Sequence, residues 1–154
     1  MARILEYPAV KQIDAKHWKL LEDLEYHVGS EDSDEVIIVP TGYETDFASV
    51  PRAFWNIFPP FGKHSPAAVI HDYLYGKQGV MPSGMIYSRR RCDEIFLETM
   101  GVMGVSWWRK HTMYRAVQMF GWVAWKKGGK TRTSIINPSK KHQRKHGTNQ
   151  EPQN

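Results

Sequence analysis

From residue 18 to residue 28 most apolar side chains fall on one parity: Trp18, Leu20, Leu24, Tyr26 and Val28, with Leu21 out of step. Alternation of this kind favours a half-buried strand, because successive strand side chains point to opposite faces of a sheet. The same stretch, WKLLEDLEYHV, also admits a helix, and both readings stand at this point. The next run, GSEDSDE (29–35), is polar and turn-forming. VIIV (36–39) is β-branched and apolar, and Pro40 ends it. Two such runs around a polar turn predict a β-hairpin. Residues 1–16 lack periodicity and read as an irregular lead-in. Residues 41–51 read as a loop, and the proline-flanked PRAFWNIFPP (51–60) has room for one helical turn.

Beyond residue 60 the signals turn helical. Ser65 followed by Pro66 predicts a helix start, a hydroxyl cap and then proline where the missing N–H costs nothing. That helix runs to about Tyr75 and stops at Gly76. Residues 77–87, with Gly79, Pro82 and Gly84, form a loop. Ser88 caps a second helix through about Val102, and a third runs from Ser106 to about Lys127, before Gly128-Gly129. No periodicity follows, and no internal repeat is present. The expected architecture is therefore α+β: a short N-terminal β-hairpin or small antiparallel sheet followed by three helices. It forms one domain over residues 1–127, with a disordered, basic, flexible tail over 128–154.

Composition refines this picture only in places. Hydrophobic residues at 41% and charged residues at 24% of 154 suit a single globular domain. No apolar run is long enough for a transmembrane helix, and the N-terminal MARILEYPAVKQ lacks a signal-peptide pattern. Cys92 is the sole cysteine, which excludes an intramolecular disulfide and a cysteine-rich zinc site. A reducing cytoplasm or association with a virus particle fits these features. The net charge of +5 is uneven. From Lys126 onward there are eight Lys/Arg and only Glu151, which leaves 13 of the 21 basic and 15 of the 16 acidic residues in a slightly acidic body. Residues 126–145 are thus a candidate contact for anionic lipid or nucleic acid, or simply a solvated end.

Three constellations could carry chemistry. In the first, His71-Asp72-Tyr73-Leu74-Tyr75 lies among the apolar residues 67–70. Helical neighbours point about 100° apart, so His71 and Asp72 line adjoining walls rather than one spot. Tyr75, four residues after His71, shares its side. His71 is a candidate general base, and Asp72 a candidate metal ligand or orienting carboxylate. In the second, Asp93, Phe96, Leu97 and Met100 follow the spacing of a buried stripe. A carboxylate heading such a stripe needs a partner inside, and a histidine nitrogen on an antiparallel helix is a natural one. In the third, Asp46 and Ser49, bracketed by Phe47, Ala48 and Val50, could offer oxygens to calcium or magnesium. Each has a plainer reading: a satisfied polar contact for His71-Asp72, a cap or salt bridge to Arg52 or Arg89 for Asp93, an Asx-type turn for Asp46 and Ser49.

Weaker candidates accompany these. His64 precedes the first helix and could join a metal site, but a loop histidine is usually solvated. His17, His27 and His111 have no matched partners in the sequence. Cys92 reads as a half-buried small residue rather than a nucleophile. The aromatic and basic stretch 107–125 reads as a core helix, with an interfacial or partner-binding helix as the other reading.

Taken together, GYETDFASVPR, AAVIHDYLYG, SRRRCDEIFLETMGV and MYRAVQMFGWVAW resemble, over about residues 18–125, an uncharacterised family of short phage and prophage proteins. That family is a catalogued domain of unknown function. His71-Asp72-x-x-Tyr75, with Asp93 and Phe96 on the next helix, is also similar to phospholipases of the A-two type. That resemblance implies that His71 activates a water, Asp72 binds calcium, Asp93 orients the histidine and Tyr75 supports it. The chain lacks the glycine-rich calcium loop of those enzymes, so residues 45–51 would have to replace it. The expectation is a phage-encoded, metal-assisted ester hydrolase acting on phospholipid or a cell-envelope ester, with Asp72, Asp46 and Ser49 at a divalent cation. The alternatives are a non-enzymatic phage tail or lysis accessory, with a virion or host-envelope partner, and a nucleic-acid-binding accessory acting through the tail.

Overall fold

The computed structural model of the chain describes residues 7–14, 17–45 and 62–136. Among the described residues five short strands precede three helices: β1 (Val10–Gln12), β2 (Trp18–Leu20), β3 (Leu24–His27), β4 (Val36–Val39), β5 (Glu44–Thr45), α1 (Ser65–Gly76), α2 (Arg89–Val102) and α3 (Trp107–Ile136). The parity of residues 18–28 resolves as strand, divided in two. Leu21, the residue out of step, sits exposed in the break, while Leu20, Leu24, Tyr26 and Val28 are buried. β3 and β4 form the expected hairpin, with Leu24 opposite Val39 and Tyr26 opposite Ile37 as the inward pairs. Asp23 ties the two neighbouring turns by accepting from the N–H and the hydroxyl of Thr41 at 2.6 and 2.7 Å, and these bonds lower its pKa.

The lead-in is not wholly irregular. Val10–Gln12 pairs antiparallel with β2, and β5 pairs with β2 on its other side, giving a three-stranded sheet in the order β1-β2-β5. Three residues carry too little pattern to announce a strand; the edge of β2 supplies the reason for it. Of the expected loop at 41–51, Glu44 and Thr45 are therefore strand. Residues 46–51, with Asp46 and Ser49, and the candidate turn at 51–60 lie outside the described residues.

α1 keeps the expected span, but Ser65 does not cap it. His64 occupies the cap position, and the Ser65 hydroxyl accepts from the N–H of Gly62 instead, at 3.0 Å. After the helix the chain turns through Gln78 and Gly79, both at positive φ. A side chain at Gly79 would meet the carbonyl of Tyr87, whose N–H bonds back to Gly79 O at 2.8 Å. This closes the loop 77–87 on itself. Ser88 does cap α2, its hydroxyl accepting from Arg91 N at 3.1 Å.

α3 corrects two expectations. It passes through Gly128-Gly129 and continues to Ile136. The reason is packing: a Cβ at Gly121 would come within 2.6 Å of the Tyr75 hydroxyl, and one at Gly128 within 2.4 Å of the Tyr75 carbonyl. Seven residues apart, the two glycines share a face, and there they let α3 lie close on α1 instead of ending the helix. Nor is α3 mainly a core helix. Met113 is buried, but Trp107, Trp108, Met119, Phe120, Trp122 and Val123 are exposed.

The core has two parts. One joins Leu20, Tyr26, Ile37 and Val39 of the strands to Val69, Ile70, Tyr73 and Leu74 of α1 and Cys92 and Ile95 of α2. The other lies among the helices, where Ala67, Phe96, Met100 and Met113 meet.

Candidate functional site

α1 and α2 run antiparallel: Tyr75 neighbours Arg89 and Asp93, His71 neighbours Asp93 and Phe96, and Ala67 packs with Phe96 and Met100. This arrangement brings a histidine and an aspartate from different helices together inside apolar surroundings. Nε2 of His71 lies 2.9 Å from Oδ1 of Asp93, and the Tyr75 hydroxyl donates to the same oxygen at 2.5 Å. Asp93 is 1% exposed and His71 is 7% exposed. The rings of His71 and Tyr75 lie 4.0 Å apart between centroids, and Phe96 covers the imidazole at 4.7 Å. Asp93 thus has the interior partner that its place in a buried stripe required, and it is not engaged with Arg89. Arg89 instead lies beside Tyr75 and donates to the Gln118 carbonyl on α3 at 3.4 Å.

The electrostatics follow from burial. Desolvation lowers the His71 pKa below 6.5, and the opposing pull of Asp93 does not reverse it. The Tyr75 hydroxyl is raised well above its ordinary value, first by burial and then by its bond to Asp93, so it stays a proton donor. The ring is neutral near pH 7. A neutral imidazole facing a carboxylate through Nε2 carries its proton there, which leaves the lone pair on Nδ1. Among the described residues no side chain bonds Nδ1, and no buried side-chain nitrogen or oxygen is unpaired.

The neighbouring aspartate looks elsewhere, as helical geometry requires. Oδ2 of Asp72 accepts from the Thr45 hydroxyl at 2.8 Å. That bond joins α1 to the end of β5, immediately before Asp46 in the chain. Asp46 and Ser49 lie outside the described residues. Among the described residues no group of three His, Cys, Asp or Glu side chains could hold a metal ion.

Other candidates resolve more simply. His17 pairs with Asp14 at 2.8 Å, and His27 contacts Glu25 at 2.7 Å and the Ser33 carbonyl at 3.0 Å, so both have the partners the sequence did not reveal. His111 lies against the ring of Trp107. Cys92 is fully buried rather than half-buried, and its thiol is pushed up to about 12 by burial first and Asp93 second. It is no nucleophile near neutral pH. The sequence reading missed the part of α3 in this site. Gly121 abuts the Tyr75 hydroxyl, and Trp125 meets the Tyr75 ring edge-on at 5.2 Å. The available signal was a glycine among bulky helical residues, which marks close approach of another element.

A family profile described as "Protein of unknown function (DUF1353)" matches residues 18–117. An uncharacterized protein of Sinorhizobium fredii, y4jT, is 38% identical over 87 residues. The match covers 54% of this chain and 23% of y4jT, so the chain spans under a quarter of that relative's length. No solved structure matches significantly.

Proposed function

We propose that this chain, which belongs to the DUF1353 family of unknown function and carries His71, Asp72, Tyr75 and Asp93 inside the matched span, is a hydrolase of ester bonds in which His71 is the general base. The observation that carries this reading is the buried His71 Nε2–Asp93 Oδ1 contact at 2.9 Å, braced by Tyr75. A dyad held in this way keeps one tautomer and directs the basic nitrogen outward. Nδ1 of His71 takes a proton from water as the oxygen attacks the ester carbonyl. The imidazolium so formed is stabilised by Asp93, and Nδ1 then returns the proton to the departing alkoxide. Tyr75 and Phe96 hold the geometry and exclude water from the far side of the ring.

Asp72 is the described residue suited to a divalent cation, calcium first, because its carboxylate is a hard oxygen ligand. Asp46 and Ser49 would complete the set, and the Thr45–Asp72 bond supports this by tying the start of their segment to the carboxylate. The cation would polarise the carbonyl under attack. The substrate class is a carboxylic ester, phospholipid before a cell-envelope ester, in a phage or prophage setting.

The test is turnover of phospholipid vesicles and small carboxylic esters by the wild type, His71→Asn and Asp72→Asn, with and without calcium. Wild type should hydrolyse at least one substrate. His71→Asn should lose roughly 10²-fold or more while keeping its far-ultraviolet circular dichroism, and Asp72→Asn should lose the response to calcium. No wild-type turnover, or an equal rate in folded His71→Asn, would overturn the reading in favour of a non-enzymatic phage accessory whose dyad serves the core.

A further inference from the structure

We propose that the outward face of α3 is a docking surface for an anionic lipid bilayer. The inward side of the helix is defined by Met113, Gly121 and Gly128. On the opposite side Trp108, Thr112, Arg115, Met119, Trp122 and Lys126 follow one another at three- and four-residue steps, so they form a continuous exposed stripe, with Val123 alongside. Met119 is 65% and Trp122 51% exposed. Large apolar side chains in such a row mark a binding surface rather than scatter.

The charge on the same helix identifies the occupant. Between Trp107 and Ile136 α3 contains no Asp or Glu, while Lys and Arg occur seven times. Arg109 lies over the Trp108 ring at 5.4 Å, and Lys126 over the Trp122 ring at 4.9 Å. Cations interleaved with tryptophans suit a headgroup layer, where the indole sits at the boundary and the cation meets lipid phosphate. Met119 and Val123 distinguish lipid from a nucleic acid: their aliphatic surface gains from acyl chains and finds little on a phosphate backbone. Among the described residues no helix is long and apolar enough to cross a membrane, so α3 would lie on the surface. This inference stands apart from the hydrolase reading, since vesicle binding requires no turnover.

The test is flotation of the full chain with vesicles of phosphatidylcholine containing phosphatidylglycerol, against phosphatidylcholine alone, at low and high salt. Duplex DNA is the competing ligand. One variant removes the apolar stripe (Trp108→Ser, Met119→Ser, Trp122→Ser). The other, Arg115→Gln with Lys126→Gln, removes only charge and spares packing. The wild type should float with anionic vesicles, and less so at high salt. The charge variant should bind more weakly by about fivefold per cation, and the apolar variant by about tenfold or more. Failure to float, equal flotation on neutral vesicles, or full binding by the folded charge variant would overturn the proposal, the last pointing to the C-terminal residues. Binding of DNA but not vesicles, lost in the charge variant, would overturn it in favour of a nucleic acid.

Discussion

His71 is a base that folding makes less basic. Its proton affinity falls below the ordinary 6.5 because burial penalises the charged ring more than Asp93 favours it. The unfolded chain therefore binds the extra proton more readily between the folded value and 6.5. The contribution of the neutral ring to stability is complete above about 6.5 and is lost as pH falls toward the folded value. Thermal unfolding followed from pH 7.5 downward should show the wild type losing stability below about 6.5, and His71→Asn should show a shallower loss over the same window. Parallel curves for the two proteins would mean that protonation of this ring is not opposed by the fold.

At the scale of elements, the decisive contact is α3 against the end of α1. In an isolated helix, replacing glycine by alanine stabilises by up to about 1 kcal/mol. Gly101, in α2, meets only the flexible end of Lys110, with an added Cβ 3.3 Å from its nitrogen, so Gly101→Ala should realise part of that gain. Gly128→Ala drives a Cβ to 2.4 Å from the backbone carbonyl of Tyr75, which cannot swing aside. It should destabilise by about 1–3 kcal/mol, the usual cost of overpacking. Urea unfolding of the two variants gives the comparison, and stabilisation by both would show that α3 does not rest on α1 at this point.

Across the whole molecule, the strands and the helices are joined by a carboxylate. Oε1 of Glu98 on α2 accepts from the Tyr26 hydroxyl at 2.6 Å and from Gly29 N at 2.7 Å, at the turn of the hairpin. Tyr26 is buried, so Glu98→Ala takes an acceptor away from a buried hydroxyl. The expected loss is about 1–3 kcal/mol. Glu94, one turn earlier on α2, pairs with the exposed Arg90, and Glu94→Ala should cost about 0–1 kcal/mol. Equal urea midpoints for the two variants would show that the clamp adds nothing to the hold between hairpin and helices.

Where spacing and local chemistry suffice, the sequence by itself determined the outcome. The parity of residues 18–28 and the VIIV run announced the hairpin, Ser88 announced the start of α2, and Asp93 in an apolar stripe announced a buried partner that proved to be His71. These features are legible because strand alternation, capping and the cost of a lone buried carboxylate all act through a few neighbouring residues. Tertiary structure alone decided the rest. β1 exists because β2 offers an edge, a fact absent from residues 10–12 themselves. Ser65 forgoes its cap for a bond to Gly62, and His17 and His27 find partners that only the folded loop and hairpin bring within reach. α3 reads as core because apolar residues surround it, yet its neighbours cover only one side. Which side faces in is settled where Gly121 and Gly128 let Tyr75 and Gly76 approach, a contact between segments some fifty residues apart.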